Sequence, residues 1–324
     1  MTTDFQLVAK AFGGPEMIVS RPCELVAPGP NEVRVRHHAI GVNFIDIYHR
    51  TGLYPQPLPA PLGGEAAGVI EAIGESVTGF AMGQRVGYVS GPGSYATVRT
   101  IAADLLIPLP PAIDDELAAA SMLKGMTAEF LIHRCAAIRP GQIALVHAAA
   151  GGVGIILVQW MAALGIRVIA HAGSAQKAAM AHAAGAEIAL DCPYDELPGL
   201  IREHCGDGVD VSFDGVGAAS WQASLASLRR RGLMISFGNA SGAPAPFSPG
   251  DLSKAGSLFL TRPTLFDYIA TPEERRESAE RLFNAMENGS VKIEIGQRFA
   301  LADAASAHIA LEGRKTTGST ILTV

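Results

Sequence analysis

The chain has 324 residues, 48% of them hydrophobic and 17% charged, with 36 glycines. That length favours two domains, and that composition favours a packed core over a disordered chain. A formal net charge of −6 and a pI near 5.8 leave no electrostatic footprint for nucleic acid or for an anionic membrane.

Residues 33–36 alternate apolar and charged side chains, as a half-buried strand does. Residues 68–74 read as a second strand with Gly at each end, and 85–89 as a third after a Gly-containing turn. Short strands at this spacing predict a compact β-barrel-like domain. Asp114, Asp115 and Glu116 then open an Ala-rich stretch, where acidic residues suit the positive end of a helix dipole. Residues 143–147, 167–170, 188–190, 209–214 and 232–237 are apolar strands separated by helical stretches, one of them near 175–184. That alternation predicts a parallel, doubly wound α/β sheet covered on both faces. Arg229, Arg230 and Arg231 are expected to form a solvated helix end. Beyond residue 265, Pro272 and two glutamates start a charged amphipathic helix, and 297–301 and 319–324 read as strands returning to the first domain.

Four cysteines, Cys23, Cys135, Cys192 and Cys205, show no C-x-x-C spacing. They predict neither a zinc ribbon nor a redox dithiol, and they fit a reducing compartment. The first ten residues do not resemble a signal peptide, and no apolar run reaches the roughly 18 residues of a membrane span. The expected location is the cytoplasm.

The stretch Ala148-Ala149-Ala150-Gly151-Gly152-Val153-Gly154 lies between a strand and a helix. It reads as a dinucleotide fingerprint with Ala149 in place of the first Gly. Gly151 lets the backbone approach a pyrophosphate, and Gly154 permits close helix–strand packing. Ala150, Gly151, Gly152, Val153 and Gly154 are therefore expected to bind cofactor at a helix N-terminus. NAD selection calls for an acidic residue about 20 positions on, at the end of the second strand. That place holds His171 to Lys177 and no acid. Gly173, Ser174 and Lys177 can instead cradle a 2′-phosphate through N–H, hydroxyl and charge, so NADPH is the expected cofactor. A solvated helix face is the alternative role for Lys177.

Asn43-Phe44-Ile45-Asp46, Gly52-Leu53-Tyr54-Pro55, Gly63-Gly64-Glu65-Ala66-Ala67-Gly68, Lys124-Gly125-Met126-Thr127, the Gly-rich loop and Ser236-Phe237-Gly238-Asn239 occur in that order. In these motifs the whole chain resembles the quinone oxidoreductase (zeta-crystallin-like) branch of the medium-chain dehydrogenase/reductases. The resemblance implies a GroES-like catalytic domain from residues 1–124 and 265–324, with a Rossmann NADPH-binding domain inserted at 125–264. It implies a homodimer through Rossmann edge strands, with residues 258–261 as the candidate edge. Zinc-dependent relatives place Cys and His where this chain has Asn43 and Gly64, and the Cys-rich lobe for structural zinc is missing, so no metal is expected. A His in or beside a strand, such as His37, is expected to be structural. Asn43, Tyr48 and Tyr54 would line the substrate cleft, and Asn43 and Thr127 would lie beside the nicotinamide. Phe237, Gly238 and Asn239 would pack along its ribose, and Arg314 would reach the cofactor from the C-terminal segment. Where close relatives carry a Tyr beside the adenosine phosphate, Cys192 stands here, with Tyr194 two residues on.

NADPH brings the hydride chemistry and the protein supplies position and electrostatics. Neither a Ser-His-Asp set nor paired carboxylates are visible, which fits reduction of an already electrophilic acceptor. Asn43, Tyr48 and Tyr54 are candidate hydrogen-bond donors to its oxygen. Quinone reduction, with a semiquinone or a hydroquinone as product, is the first expectation. Reduction of an enone or enoyl double bond, with Tyr54 as proton donor, is the second. A nucleotide- or RNA-binding zeta-crystallin-like role is a third, weakened by the acidic charge.

Overall fold

The structure, a computed structural model, describes residues 4–23, 25–313 and 316–324. The first strands are β1 (Phe5–Ala9), β2 (Ile18–Pro22), β3 (Glu32–Val42), β4 (Ala60–Pro61), β5 (Glu65–Ile73), β6 (Arg85–Val89), β7 (Val98–Ala102) and β8 (Leu106–Pro108). Next come β9 (Ile143–His147), β10 (Arg167–His171), β11 (Ile188–Leu190), β12 (Val209–Asp214), β13 (Leu228–Ser236) and β14 (Phe259–Thr261). Last are β15 (Ile295–Ala300) and β16 (Ser319–Thr323). Helices α1 (Phe44–Thr51), α2 (Asp115–Phe130), α3 (Gly152–Ala163) and α4 (Ala175–Ala183) matter most for the site.

The chain divides into two compact units. The first comprises Met1–Met126, Ile269–Phe283 and Ile293–Val324. Its larger sheet runs β15-β16-β3-β5-β6-β8, with β7 also on β3, and a smaller one runs β2-β1-β4. The alternation in β3 has a direct cause. Val33 and Val35 are fully buried in a core with Ile40, Ala66, Ile70, Val86 and Leu322. Arg34 and Arg36 point the other way and both pair with Glu71 on β5, at 2.7 and 2.6 Å. His37 is a satisfied core residue: its Nδ1 meets the Ala96 carbonyl at 2.7 Å and its Nε2 the Tyr88 hydroxyl at 2.8 Å.

The second unit comprises Thr127–Tyr268 and Asn284–Lys292. Its parallel sheet runs β11-β10-β9-β12-β13-β14. This is a Rossmann order, in which the first strand lies at the centre and the chain winds outward on each side. Leu145, Ile169, Val209, Leu228 and Met234 make its core with Trp221 from a crossover helix. The late stretch Asn284–Lys292 joins this unit. The Lys292 N–H donates to Gln159 Oε1 at 2.6 Å, and Gln159 Nε2 donates back to the Lys292 carbonyl.

The three consecutive arginines do not end a helix. They lie inside β13, which starts at Leu228. Pairing between β12 and β13 shifts register between Val209 and Val211, and Arg231 adopts φ 59°. A three-residue polar run has no period of its own, and an irregular strand absorbs it while Arg229 pairs with Asp210 at 2.7 Å.

Candidate active site and nucleotide site

In the second unit the site forms at the C-terminal edge of the parallel sheet, where open α/β sheets bind ligands. After His147 ends β9, the chain turns at Ala148 (φ 49°). The Ala149 N–H is tied to the His171 carbonyl on β10 at 3.1 Å, and the Gly151 N–H to the Ala148 carbonyl at 2.8 Å. Gly151 then caps α3 without a side chain. A Cβ on Gly154 would stand 2.4 Å from the Ala148 carbonyl oxygen, so only Gly lets the helix start this close to the loop. The first-turn N–H groups of such a helix have no partner within it. Such groups can receive an anion, and Ala150, Gly151, Gly152 and Val153 stand at this helix start.

At the end of β10, Ser174 caps α4 and accepts the Lys177 N–H at 3.4 Å. A Cβ on Gly173 would meet nothing within 4 Å, which leaves open space beside it. Among the described residues no carboxylate pairs with the Lys177 ammonium. Tyr194 packs its ring against His171 at 4.7 Å and His147 at 5.8 Å. The His171 Nε2 lies 2.9 Å from the Cys192 carbonyl, which can only accept, so this nitrogen carries the proton.

The third stretch, Phe237 to Asn239, follows β13. The Phe237 N–H donates to the Asp214 carbonyl at 2.8 Å. A Cβ on Gly238 would fall 2.5 Å from the Gly215 carbonyl oxygen. The Asp214 carboxylate is fully buried. It accepts from the Val216 and Gly217 N–H groups at 2.8 and 3.0 Å and from the Ser224 hydroxyl at 2.5 Å. Ser224 also meets His147 Nε2 at 2.9 Å. Burial pushes His147 down to about 4, against the nearby Asp214 charge. Thr127 is half-buried on α2.

In the first unit, Asn43 precedes α1, and its backbone N–H donates to Asp46 Oδ2 at 2.8 Å, half of a capping box. Its side chain is buried and donates from Nδ2 to Glu65 Oε1 at 2.7 Å. Glu65 also accepts from the Leu123 N–H at 2.6 Å and has the Lys124 ammonium at 3.5 Å. Burial raises the Glu65 carboxyl above its ordinary range, while Lys124, Asn43 and Leu123 favour its anion. Burial also lifts Asp46 to about 7, although Asn43 and the Tyr95 hydroxyl donate to it. Tyr95 reaches His308 Nε2 at 3.0 Å, and Arg50 joins His308 to Glu312. Tyr48 and Tyr54 meet edge to face, centroids 5.1 Å apart, with the Tyr54 N–H on the Tyr48 carbonyl.

The structure therefore gathers Asn43, Tyr48 and Tyr54 in one unit, and the Gly-rich loop, Gly173, Ser174, Lys177 and Phe237 to Asn239 in the other. Arg314 lies outside the described residues. Glu65, Asp46, Asp214 and Arg262 were not among the expected site residues. Glu65 and Lys124 stood inside the quoted motifs, but no spacing rule joins positions so far apart. Among the described residues no group of His, Cys, Asp and Glu could hold a metal ion, and no helix is long and apolar enough to cross a membrane.

Comparison with known proteins agrees with this fold. The alcohol dehydrogenase GroES-like domain model matches residues 29–111, and the zinc-binding dehydrogenase model matches 152–284. A quinone oxidoreductase of Pseudomonas aeruginosa is 47% identical over 96% of this chain and 97% of its own length. A 2-haloacrylate reductase of a Burkholderia species is 40% identical over 96% of each. The crystal structure of Escherichia coli quinone oxidoreductase complexed with NADPH superposes with a TM-score of 0.95 at 43% identity, covering 99% of this chain and 100% of that one. The chain belongs to the quinone oxidoreductase branch of the medium-chain dehydrogenase/reductases.

Proposed function

We propose that this protein is an NADPH-dependent reductase of quinones that works without a metal. The observation that carries the reading is the tight turn of Gly154 against Ala148, set in a chain similar along its length to quinone oxidoreductases. The residues fit the dinucleotide: a glycine cradle at a helix N-terminus for the pyrophosphate, and open space at Gly173 near a cationic Lys177 for the 2′-phosphate. When bound, NADPH supplies the reducing chemistry. Gly151 to Gly154 hold its phosphates through N–H groups and the helix dipole. Phe237 to Asn239 form a rigid turn for its nicotinamide half, with Thr127 beside it and Arg314 as a further contact. Asn43, Tyr48 and Tyr54 orient the acceptor, and a tyrosine hydroxyl donates a hydrogen bond to its oxygen.

The second reading is reduction of an activated carbon–carbon double bond, favoured by the 40% identity to a 2-haloacrylate reductase. It asks Tyr54 or Tyr48 to deliver a proton and not merely a hydrogen bond. Domain limits of 1–124 with 265–324, and 125–264, serve as working boundaries. The four cysteines are free, in keeping with a cytoplasmic protein. A homodimer through β14 would cover an edge strand that carries Phe259 at 62% exposure.

The test is NADPH oxidation with a panel of simple benzoquinones and naphthoquinones against enones and 2-haloacrylates, before and after chelator dialysis. Turnover confined to quinones and unchanged by the chelator is expected. Turnover only with the double-bond panel would install the second reading. Activity lost with stoichiometric zinc would overturn the metal-free one.

A further inference from the structure

β13 and β14 are parallel neighbours, with Ile235 opposite Thr261, so both strands end at the same edge of the sheet. The residue after each strand therefore stands at the rim where the nucleotide is placed. After β13 comes the Phe237–Gly238–Asn239 turn. After β14 comes Arg262. Its Nη1 donates to the Ser236 carbonyl at 2.7 Å, lies 3.3 Å from the Ser236 hydroxyl and donates to the Gly238 carbonyl at 3.1 Å.

From this geometry we infer that Arg262 is a positioning residue for the nicotinamide half of the cofactor, and it rests on the NADPH reading above. The turn is clamped from two sides. On one side the Phe237 N–H is bound to the Asp214 carbonyl, and Gly238 lies so close to Gly215 that a Cβ would overlap it. On the other side stand the Ser236 and Gly238 carbonyl oxygens, which repel each other unless a donor intervenes. Arg262 supplies that donor from one nitrogen. It bridges the carbonyls on either side of Phe237, and so fixes the peptide planes and the direction of Phe237 between them. The turn is thereby built before the ligand arrives, and binding does not have to order it. The contacts described above all fall on Ser236 and Gly238, at the turn assigned to the nicotinamide half, so its influence is expected on that half of the dinucleotide.

That asymmetry gives the experiment. Binding of NADPH and of 2′,5′-ADP, which carries the adenosine half alone, is measured by calorimetry for the wild type, Arg262→Gln and Arg262→Lys. Thermal midpoints without ligand serve as a folding control. Arg262→Gln should weaken NADPH about tenfold, in the range of one or two charge-assisted hydrogen bonds. It should leave 2′,5′-ADP within about twofold. Arg262→Lys should recover part of the loss, because a lysine ammonium offers three donors but a shorter reach. Equal weakening of both ligands, weakening of the fragment alone, or no change in either would overturn the assignment. A wild type that binds neither ligand would sink the nucleotide reading first, and this inference with it.

Discussion

The Asn43 carboxamide donates to the Glu65 carboxylate at 2.7 Å, inside the first unit. Both Glu65 oxygens accept from N–H donors, Oε1 from Asn43 and Oε2 from Leu123, so the amide nitrogen faces Glu65 and the amide oxygen is turned away from it. Asn43 had been expected as one possible donor to the substrate oxygen. With one N–H already committed, it is better placed, in the proposed reaction, to orient the acceptor than to act as the main donor.

Removing Glu65 should be costly. Glu65→Ala would leave the buried Lys124 ammonium, the Leu123 N–H and the Asn43 amide without their shared acceptor. Breaking a buried pair from one side costs about 3–5 kcal/mol. Urea unfolding should show a loss of that order, with Glu65→Gln intermediate. A loss below about 1 kcal/mol would mean that water replaces the carboxylate.

Acid should destabilise the fold. Burial pushes His37 and His147 down to about 4 and His308 to about 3. Their unfolded value is about 6.5, so the unfolded chain binds more protons below it. This stability is fully present above pH of about 6.5 and is lost as pH falls toward 4. Asp46, lifted to about 7, runs the other way, as does Glu65: the native state holds the extra proton, and stability falls as pH rises from about 4. Burial also pushes His49 and His171 down, so the lowered imidazoles outnumber the two raised carboxyls. The unfolding free energy should be lower at pH 5 than at pH 6.5. A flat or inverted profile contradicts the burial argument.

Lys177 should set cofactor choice. Wild-type protein should bind NADPH at least about tenfold tighter than NADH, and Lys177→Ala should remove much of the preference, at about 1.5–3 kcal/mol for a charged contact. Fluorescence titration with both nucleotides measures it. Equal wild-type affinities would return Lys177 to a solvated helix face.

Tyr54 separates the two reductions. Tyr54→Phe should lower quinone turnover by about 3–30-fold and leave NADPH affinity nearly unchanged, the scale of one hydrogen bond. A loss above about a hundredfold with an enone would mean that the proton itself is delivered from this hydroxyl. No change with either acceptor would leave Tyr54 a packing role beside Tyr48 and His49.

The edge strand is open to a direct test. Phe259→Asp places a charge on β14, and if the proposed homodimer pairs through this strand, the variant should sediment as a monomer at micromolar concentration where the wild type sediments as a dimer. An unchanged sedimentation coefficient would move the interface elsewhere.

The parts of this fold that were legible in the sequence are those with a period. Val33 and Val35 against Arg34 and Arg36 announced β3 because one face of it is buried. The apolar runs at 143–147 and 167–170 announced a parallel sheet because both of its faces are covered. The loop at 148–154 was legible because its demands are local. Arg229 to Arg231 misled because an irregular strand carries no period. The links of Glu65 to Asn43 and Lys124, and of Arg262 to Gly238, are 22, 59 and 24 positions apart, separations that only the folded chain closes.

The loop at 148–150 has a further consequence, for the chain before it folds. Three alanines stand where a tight turn invites glycine. Each alanine narrows the unfolded ensemble, and where the native φ is negative this favours the folded form by about 0.4–1 kcal/mol per residue. Ala149 and Ala150 gain this benefit, whereas Ala148, held at φ 49°, gives up about 1–2 kcal/mol to the left-handed region. The turn thus gathers its order partly from states it can no longer visit, and Ala148→Gly would exchange a strained native loop for a freer denatured one.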